Sequence, residues 1–450
     1  MKFLKPSFWS AEQRIPRTFT LCARLPLPEH QARYRSLARL AVLAIFLLAS
    51  GCAKLMPLEL AGEYEAPAAS SPLWYQLEAV RSDTWIYPLN TGRQALEWRL
   101  RVIDSATQSL DLQTFLWKDD ATGLAVTARL IDAAERGVRI RLLIDDTFTD
   151  AYSLALIGLL KHPNIALRIY NPVSSRSAHL IVRQLFNLGE FKRINHRMHN
   201  KILMVDHRAA IVGGRNLADE YFGRHERYNF RDFEILTAGP SVDDISQSFD
   251  TYWNSDWSYP VETLFKAQPL PRLDDSQMSP GGDLDQESAE DEASRMAAWI
   301  GAAQTGLSGE VRVVADTPAT RNLDDADAQP IQLSSTLIDL MEHAEKELVL
   351  VSAYLIPTPE LESAVERAEK RGVQVRILTN SLRSNNHVAA HSAYRAHLNR
   401  LLTHGAEVHE TRVLAEDRTR YMDSPVGDKH LGLHAKLMLI DQDLSFVGSA

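Results

Sequence analysis

The stretch His199-Asn200-Lys201-Ile202-Leu203-Met204-Val205-Asp206, followed by Gly213-Gly214-Arg215-Asn216, has a counterpart in His434-Ala435-Lys436-Leu437-Met438-Leu439-Ile440-Asp441, followed by Gly448-Ser449. The second histidine stands 235 positions after the first. One His-x-Lys in an apolar segment carries little information. Two copies with the same spacing to Asp and Gly point to a duplicated unit. Residues i and i+2 of a strand share a face, so each imidazole is expected to project beside its lysine from an alternating strand. Asp206 and Asp441 follow their lysines by five positions and fall on the opposite face, which predicts a role in local structure.

The duplication extends outward. Ala95 to Ala106 reads as an amphipathic helix, Ser109 to Trp117 as a strand, Leu124 to Arg136 as a helix closed by Gly137, and Val138 to Asp145 as a second strand. Glu347 to Tyr354, Glu360 to Lys370 and Arg371 to Leu378 repeat the strand-helix-strand phrase, and Gly372 again lies 235 positions after Gly137. Such phrases build parallel or mixed sheets. The expected fold is therefore α/β, a mixed sheet sandwiched by helices. Two similar halves, 83–262 and 331–450, would pack about a pseudo-twofold axis so that two half-sites form one site. Residues 263–330, with Pro269, Pro271, Pro280, Gly281, Gly282 and many acids, read as an acidic linker or insertion. Asn216 follows Asp206 by ten positions, whereas the chain ends at Ala450, nine after Asp441. The second half is expected to be cut short of its closing elements.

Both cysteines, Cys22 and Cys52, precede the predicted globular region, so that region offers no disulfide framework and no thiolate metal site. Basic residues from Arg33 to Arg39, the apolar run Leu40 to Ala49 and the small residues before Cys52 have the layout of a secretory leader over 1–52. The run is too short to span a bilayer as a helix. Its end resembles a bacterial lipobox. That resemblance implies lipidation of Cys52, a tether over 53–82, and a lipoprotein facing the periplasm, on the outer rather than the inner membrane. Residues 1–51 hold eight Lys/Arg and two Glu, so the remainder carries −15 of a total of −9. Such acidity argues against a nucleic-acid partner.

Two lysines around a phosphodiester would compensate charge on its non-bridging oxygens, while one imidazole attacks phosphorus and the other protonates the leaving oxygen. No metal or cofactor is required. Asn216 adds a neutral donor, and Gly213-Gly214 would let backbone approach the phosphate. Ser449 belongs to the corresponding position in the second half. These paired motifs resemble those of the phospholipase D superfamily. Arg197-Met198-His199-Asn200-Lys201, Val212-Gly213-Gly214-Arg215-Asn216 and Leu378-Thr379-Asn380-Ser381-Leu382 are similar to its bacterial cardiolipin synthase branch, in particular C-type members. The resemblance implies a phosphohistidine at His199, His434 as general acid and then base, and phosphate binding by Lys201, Lys436 and Asn216. It also implies an orienting carboxylate for the first histidine, matched by Asp232, and a phospholipid substrate such as phosphatidylglycerol. A hydrolase using water, a nuclease on the same scaffold and a non-catalytic envelope scaffold remain alternatives.

Other clusters read as structural. Asp145-Asp146 fits a turn or helix cap better than a metal site, and His387 with His391 lacks a third zinc ligand. Trp253, Trp257, Tyr252 and Tyr259 fit core packing better than a lipid-facing patch. Asn386 stands where the branch usually has Asp.

Overall fold

The computed structural model describes residues 56, 70–147, 154–160, 162–173, 196–264, 290–318 and 332–448. The expected leader with Cys52, and Ser449, lie outside them, as does much of 53–82 and 263–330. In chain order the strands are β1 (Trp85–Leu89), β2 (Ser109–Thr114), β3 (Arg139–Asp145), β4 (Ile165–Tyr170), β5 (Ile202–Val205), β6 (Ala209–Gly213), β7 (Tyr228–Arg231), β8 (Glu234–Ala238) and β9 (Ser258–Pro260). They continue with β10 (Leu307–Ser308), β11 (Glu347–Ser352), β12 (Gln374–Asn380), β13 (Glu407–Thr411), β14 (His430–Leu433), β15 (Lys436–Ile440) and β16 (Leu444–Gly448).

One sheet runs β10-β1-β8-β6-β5-β2-β3-β4-β9 and a second runs β13-β12-β11-β15-β16. The duplication is visible in the pairing. β2, β3 and β4 are parallel, with β5 and β6 added antiparallel at the β2 side. β11, β12 and β13 repeat the parallel set, and β15 and β16 the antiparallel one. The mixed α/β architecture with two like halves follows.

Local sequence explains the crossovers. Helix Gly92–Asp104 starts where Thr91 accepts from Gln94 N, and helix Ala121–Glu135 where Asp120 accepts from Gly123 N. Helix Pro359–Lys370 combines a Thr358 cap with proline in its first turn. Gly137 and Gly372, at φ of 93° and 88°, turn the chain out of their helices in the left-handed region that glycine tolerates. Leu110, Ile140, Leu142, Ile144, Val205 and Ile211 build the first core between sheet and helices. Leu348, Val365, Val375, Ile377 and Met438 build the second.

Three segments differ from the sequence reading. Residues 72–80, expected as tether, form helix Pro72–Val80, because Trp74 and Leu77 share a face and bury together. Residues 292–305, expected as part of an exposed insertion, form a helix capped by Asp291 and anchored by the fully buried Trp299. That ring meets Trp74, Trp85 and Trp98 edge-on at 5.4, 6.5 and 5.2 Å and donates its indole N–H to Ser105 Oγ at 2.9 Å. Residues 261–264 also form a short helix. The first half therefore extends beyond 83–262 on both sides. Trp299→Ala is expected to lower the unfolding free energy by about 3–5 kcal/mol. Urea denaturation would measure it, and a loss under about 1 kcal/mol would show that the helix does not close this core. Tyr252, Trp253, Trp257 and Tyr259 are buried together as a core cluster.

Candidate active site

The halves meet through a two-stranded parallel ribbon in which β7 pairs with β14, register Leu433↔Arg231. The residues that follow the two strand ends are Asp232 and His434. His434 N donates to Arg231 O at 2.8 Å, and Asp232 Oδ2 receives His434 Nδ1 at 2.6 Å. The carboxylate from the first half thus holds the histidine of the second. This corrects the expectation that Asp232 serves His199: the ribbon carries β7 across the interface and delivers Asp232 to the other motif. Tyr221 and Phe230 rings, at 5.0 and 5.1 Å, hold the imidazole from the sides.

A second pair of positioning residues appears at the ends of β3 and β12. Asn380 Nδ2 donates to Ala353 O and Leu433 O, and Asn380 Oδ1 accepts from Leu433 N, fixing the backbone just before His434. Asp145 stands 235 positions earlier. Its carboxylate accepts from Met198 N at 3.0 Å and pairs with Arg197 at 3.4 Å, just before His199. Asp145 also accepts from Thr147 N at 2.8 Å, the turn role read from the sequence, and the repeat offset to Asn380 marks its second role beside the histidine segment.

His199 lies 4.8 Å from the Phe115 ring, which also stands 5.5 Å from Lys201 Nζ. Tyr354 takes the matching place near His434 and Lys436, both at 6.0 Å. Neither histidine is on a strand, contrary to expectation. β5 opens one residue after Lys201 and β15 opens on Lys436, so the imidazoles project from the strand entrances. Lys201 Nζ donates to His199 O at 2.6 Å, and Lys436 Nζ stands 3.1 Å from His434 Nδ1 and 3.2 Å from Nε2.

Asp232, His434, Lys201 and Lys436 are all nearly inaccessible to solvent, so their charges are strongly felt. Burial, then the charge of Lys436, push Lys201 well below the usual lysine range. Burial lowers Lys436 to about 8 against the pull of Asp232. Burial and the Lys436 cation bring His434 to about 4, although Asp232 opposes them. Burial works to raise Asp232, but attraction and hydrogen bonding to His434, with the Lys436 and Arg215 cations, hold it at about 2. Near neutrality a neutral imidazole donates Nδ1–H to an ionised carboxylate. An anion seated between the lysines would cancel their mutual repulsion and raise all three basic groups. Sulfate binding at pH 8 is therefore expected to take up protons. Calorimetry in buffers of different ionisation enthalpy measures this, and proton release would contradict the placement of the lysines around one anion.

Gly213 and Gly214 are required by close packing within the protein. A Cβ at Gly214 would lie 2.2 Å from Asp232 Oδ1, and one at Gly213 would lie 2.6 Å from Phe233 O. The glycines admit the Asp232 segment, which a Cβ at either position would displace. Arg215 is equally internal, donating to Leu89 O, Asn90 O, Tyr221 O and Asp232 O and pairing with Glu234 at 3.2 Å. Asn216 is buried beside Tyr221, its Oδ1 without a hydrogen-bond partner.

The motif aspartates face away from the site and organise turns. Asp206 accepts from Thr107 N, Gln108 N, Ser109 N and Trp74 Nε1. Asp441 accepts from the amides of Glu345, Lys346 and Glu347. Asp206-His207 and Asp441-Gln442 all have positive φ, between 50° and 66°, a backbone that Asp and Asn tolerate in tight hairpins. His387 packs edge-on against Tyr354 at 4.9 Å, His391 against Tyr394 at 5.6 Å, and Asn386 Oδ1 accepts from Tyr354 OH. Among the described residues no group of three His, Cys, Asp or Glu could hold a metal ion.

Residues 100–257 and 337–450 match the family described as "Cardiolipin synthase, PLD-like domain". The chain is 31% identical to cardiolipin synthase C of Escherichia coli (strain K12) over 387 residues, 81% of this chain and 77% of that protein. It is 25% identical to cardiolipin synthase B of Salmonella typhi, covering 82% and 73%. Among solved structures, the phosphatidylserine synthase of Haemophilus influenzae Rd KW20 shares the fold, with a TM-score of 0.50, 14% identity and coverage of 82% and 80%. The chain belongs to the phospholipase D superfamily, in its cardiolipin synthase-like branch.

Proposed function

We propose that the protein transfers phosphatidyl groups between alcohols through a phosphohistidine at His199. His199 attacks the phosphorus of a donor phospholipid. The P–O bond to the head-group alcohol breaks, and that oxygen takes a proton from His434, whose Nδ1–H stays on Asp232. A second alcohol then gives its proton to His434 and attacks the phosphorus, and His199 leaves. Atoms and charge balance without a further reactant. Bound substrate supplies the anion that raises His434 towards its acid form. Lys201 and Lys436 hold the non-bridging oxygens and Asn216 donates to one of them.

The observation that carries this reading is Asp232 of the first half on His434 of the second, with Lys201 and Lys436 near enough for their charges to act on one another. Likeness to cardiolipin synthases supports a phospholipid donor and acceptor such as phosphatidylglycerol. Anchorage through a lipidated Cys52 on the periplasmic side belongs to the same proposal and rests on the leader-like sequence. Among the described residues no helix is long and apolar enough to cross a membrane. The test is a rapid quench of the protein with phosphatidylglycerol, followed by peptide mass spectrometry. The expected product is a phosphatidyl adduct on His199 and, after full turnover, cardiolipin. An adduct on His434 alone, or none during turnover, would sink the mechanism.

A further inference from the structure

A cavity of about 640 Å³ opens on the His199 side of the site. It begins at His199 and Lys201 and runs between the first sheet and the β15–β16 hairpin, over Ile202, Val212, Ile235, Ile245, Leu439 and Phe446. Its outer wall is a strap, residues 307–317. The strap is fastened at one end by the β10–β1 pairing and by Arg81 to Gly306 O at 2.8 Å. At the other end Asp316 Oδ1 accepts from Leu333 N at 3.0 Å. Val313 packs inward against Ile202 and Ile245, while Arg312 at the same wall is exposed. The size falls within the range of about 300–1,000 Å³ for small-molecule pockets, and the lining mixes this apolar floor with polar groups at His199 and Lys201 and along the rim, among them Glu310, Arg312 and Asp443.

The opposite side is different in kind. Around His434 stand Tyr354, Asn386 and His387, and neither His434 nor Lys436 lines the cavity. During covalent phosphatidyl transfer the diacylglycerol stays on the enzyme while the small alcohol leaves and the hydroxyl of an acceptor head group takes its place. An apolar seat is therefore needed beside the nucleophile, and a polar passage beside the acid–base group.

From this asymmetry we infer that the cavity beneath the strap seats an acyl chain of the bound phosphatidyl group, with Ile245, Val313 and Phe446 setting the chain length that fits. The inference rests on the proposed phosphatidyl chemistry and fixes its polarity: lipid on the His199 side, head group on the His434 side.

The test uses the full chain and a series of non-cleavable dialkyl phosphonates of increasing chain length, held below their micelle concentrations, with binding read by calorimetry. Each methylene that enters the seat is expected to tighten binding by about fourfold until the seat is full, after which affinity levels. In Ile245→Trp and, separately, Val313→Trp, levelling is expected several carbons earlier. The long-to-short-chain ratio of kcat/KM should fall at least tenfold in both. The ratio is internal to each preparation, so a partly folded variant does not mimic the result. A flat chain-length dependence in the wild type, or unchanged levelling in both variants, overturns the inference, including the case in which a protein segment fills the cavity. If chain-length-dependent binding appears without cleavage of phosphatidylglycerol or of bis(p-nitrophenyl) phosphate, the seat stands and the proposed catalysis fails.

Discussion

Turnover by His199→Ala is expected to fall by about 10⁵-fold or more, the scale on which enzymes respond to loss of a nucleophile that acts as one unit with its acid–base partner. Neither Lys201 nor His434 is placed to substitute for it. Lys201, two residues on, is occupied with His199 O at 2.6 Å, and His434 is held by Asp232. The lysines remain, so sulfate binding should persist within a few-fold, which separates loss of chemistry from loss of fold. The adduct in quenched samples should vanish with turnover. Residual activity within tenfold of the wild type would return the nucleophile's role to His434.

Asp232→Asn should lower kcat by about 10³–10⁴-fold, the cost of presenting the wrong imidazole tautomer. An amide at this position offers Nδ1 a donor as readily as an acceptor, so the proton is displaced to Nε2, the nitrogen that must be free to take the incoming alcohol's proton. The substitution also removes the anion that holds His434 up against burial and Lys436. KM should change only a few-fold, because the groups placed to bind phosphate are untouched. A merely structural Asp232 would raise KM and lower kcat together and would shift the urea midpoint. An unchanged kcat would reject the Asp232–His434 dyad.

Much of this site could be read from the chain because the duplication is registered. The offset from His199 to His434 also relates Gly137 to Gly372 and Asp145 to Asn380, and the strand-helix-strand phrases fall close to β2, β3, β11 and β12. The turn-forming place of Asp206 and Asp441 follows from strand parity, since a side chain five positions on cannot share the lysine's face. Long-range pairing was harder to foresee. Nothing near Asp232 in sequence indicates that β7 pairs with β14 about 200 residues away, so its partner was assigned to the wrong half. The Asp232 contact of Gly214 is equally illegible, because a glycine reports only that something comes close. Trp299 sits in an acidic stretch whose composition predicts solvation, and its burial depends on three tryptophans from distant segments.

The ribbon between the halves also bears on how such a duplicated protein can change over generations. Because the carboxylate encoded in one copy serves the histidine encoded in the other, a substitution harmless to the packing of the first copy can silence the second. Neither copy is free to drift or to be inherited alone. Separating them into independent proteins would require the second copy to acquire a new carboxylate partner first, or the two to associate again as a pair.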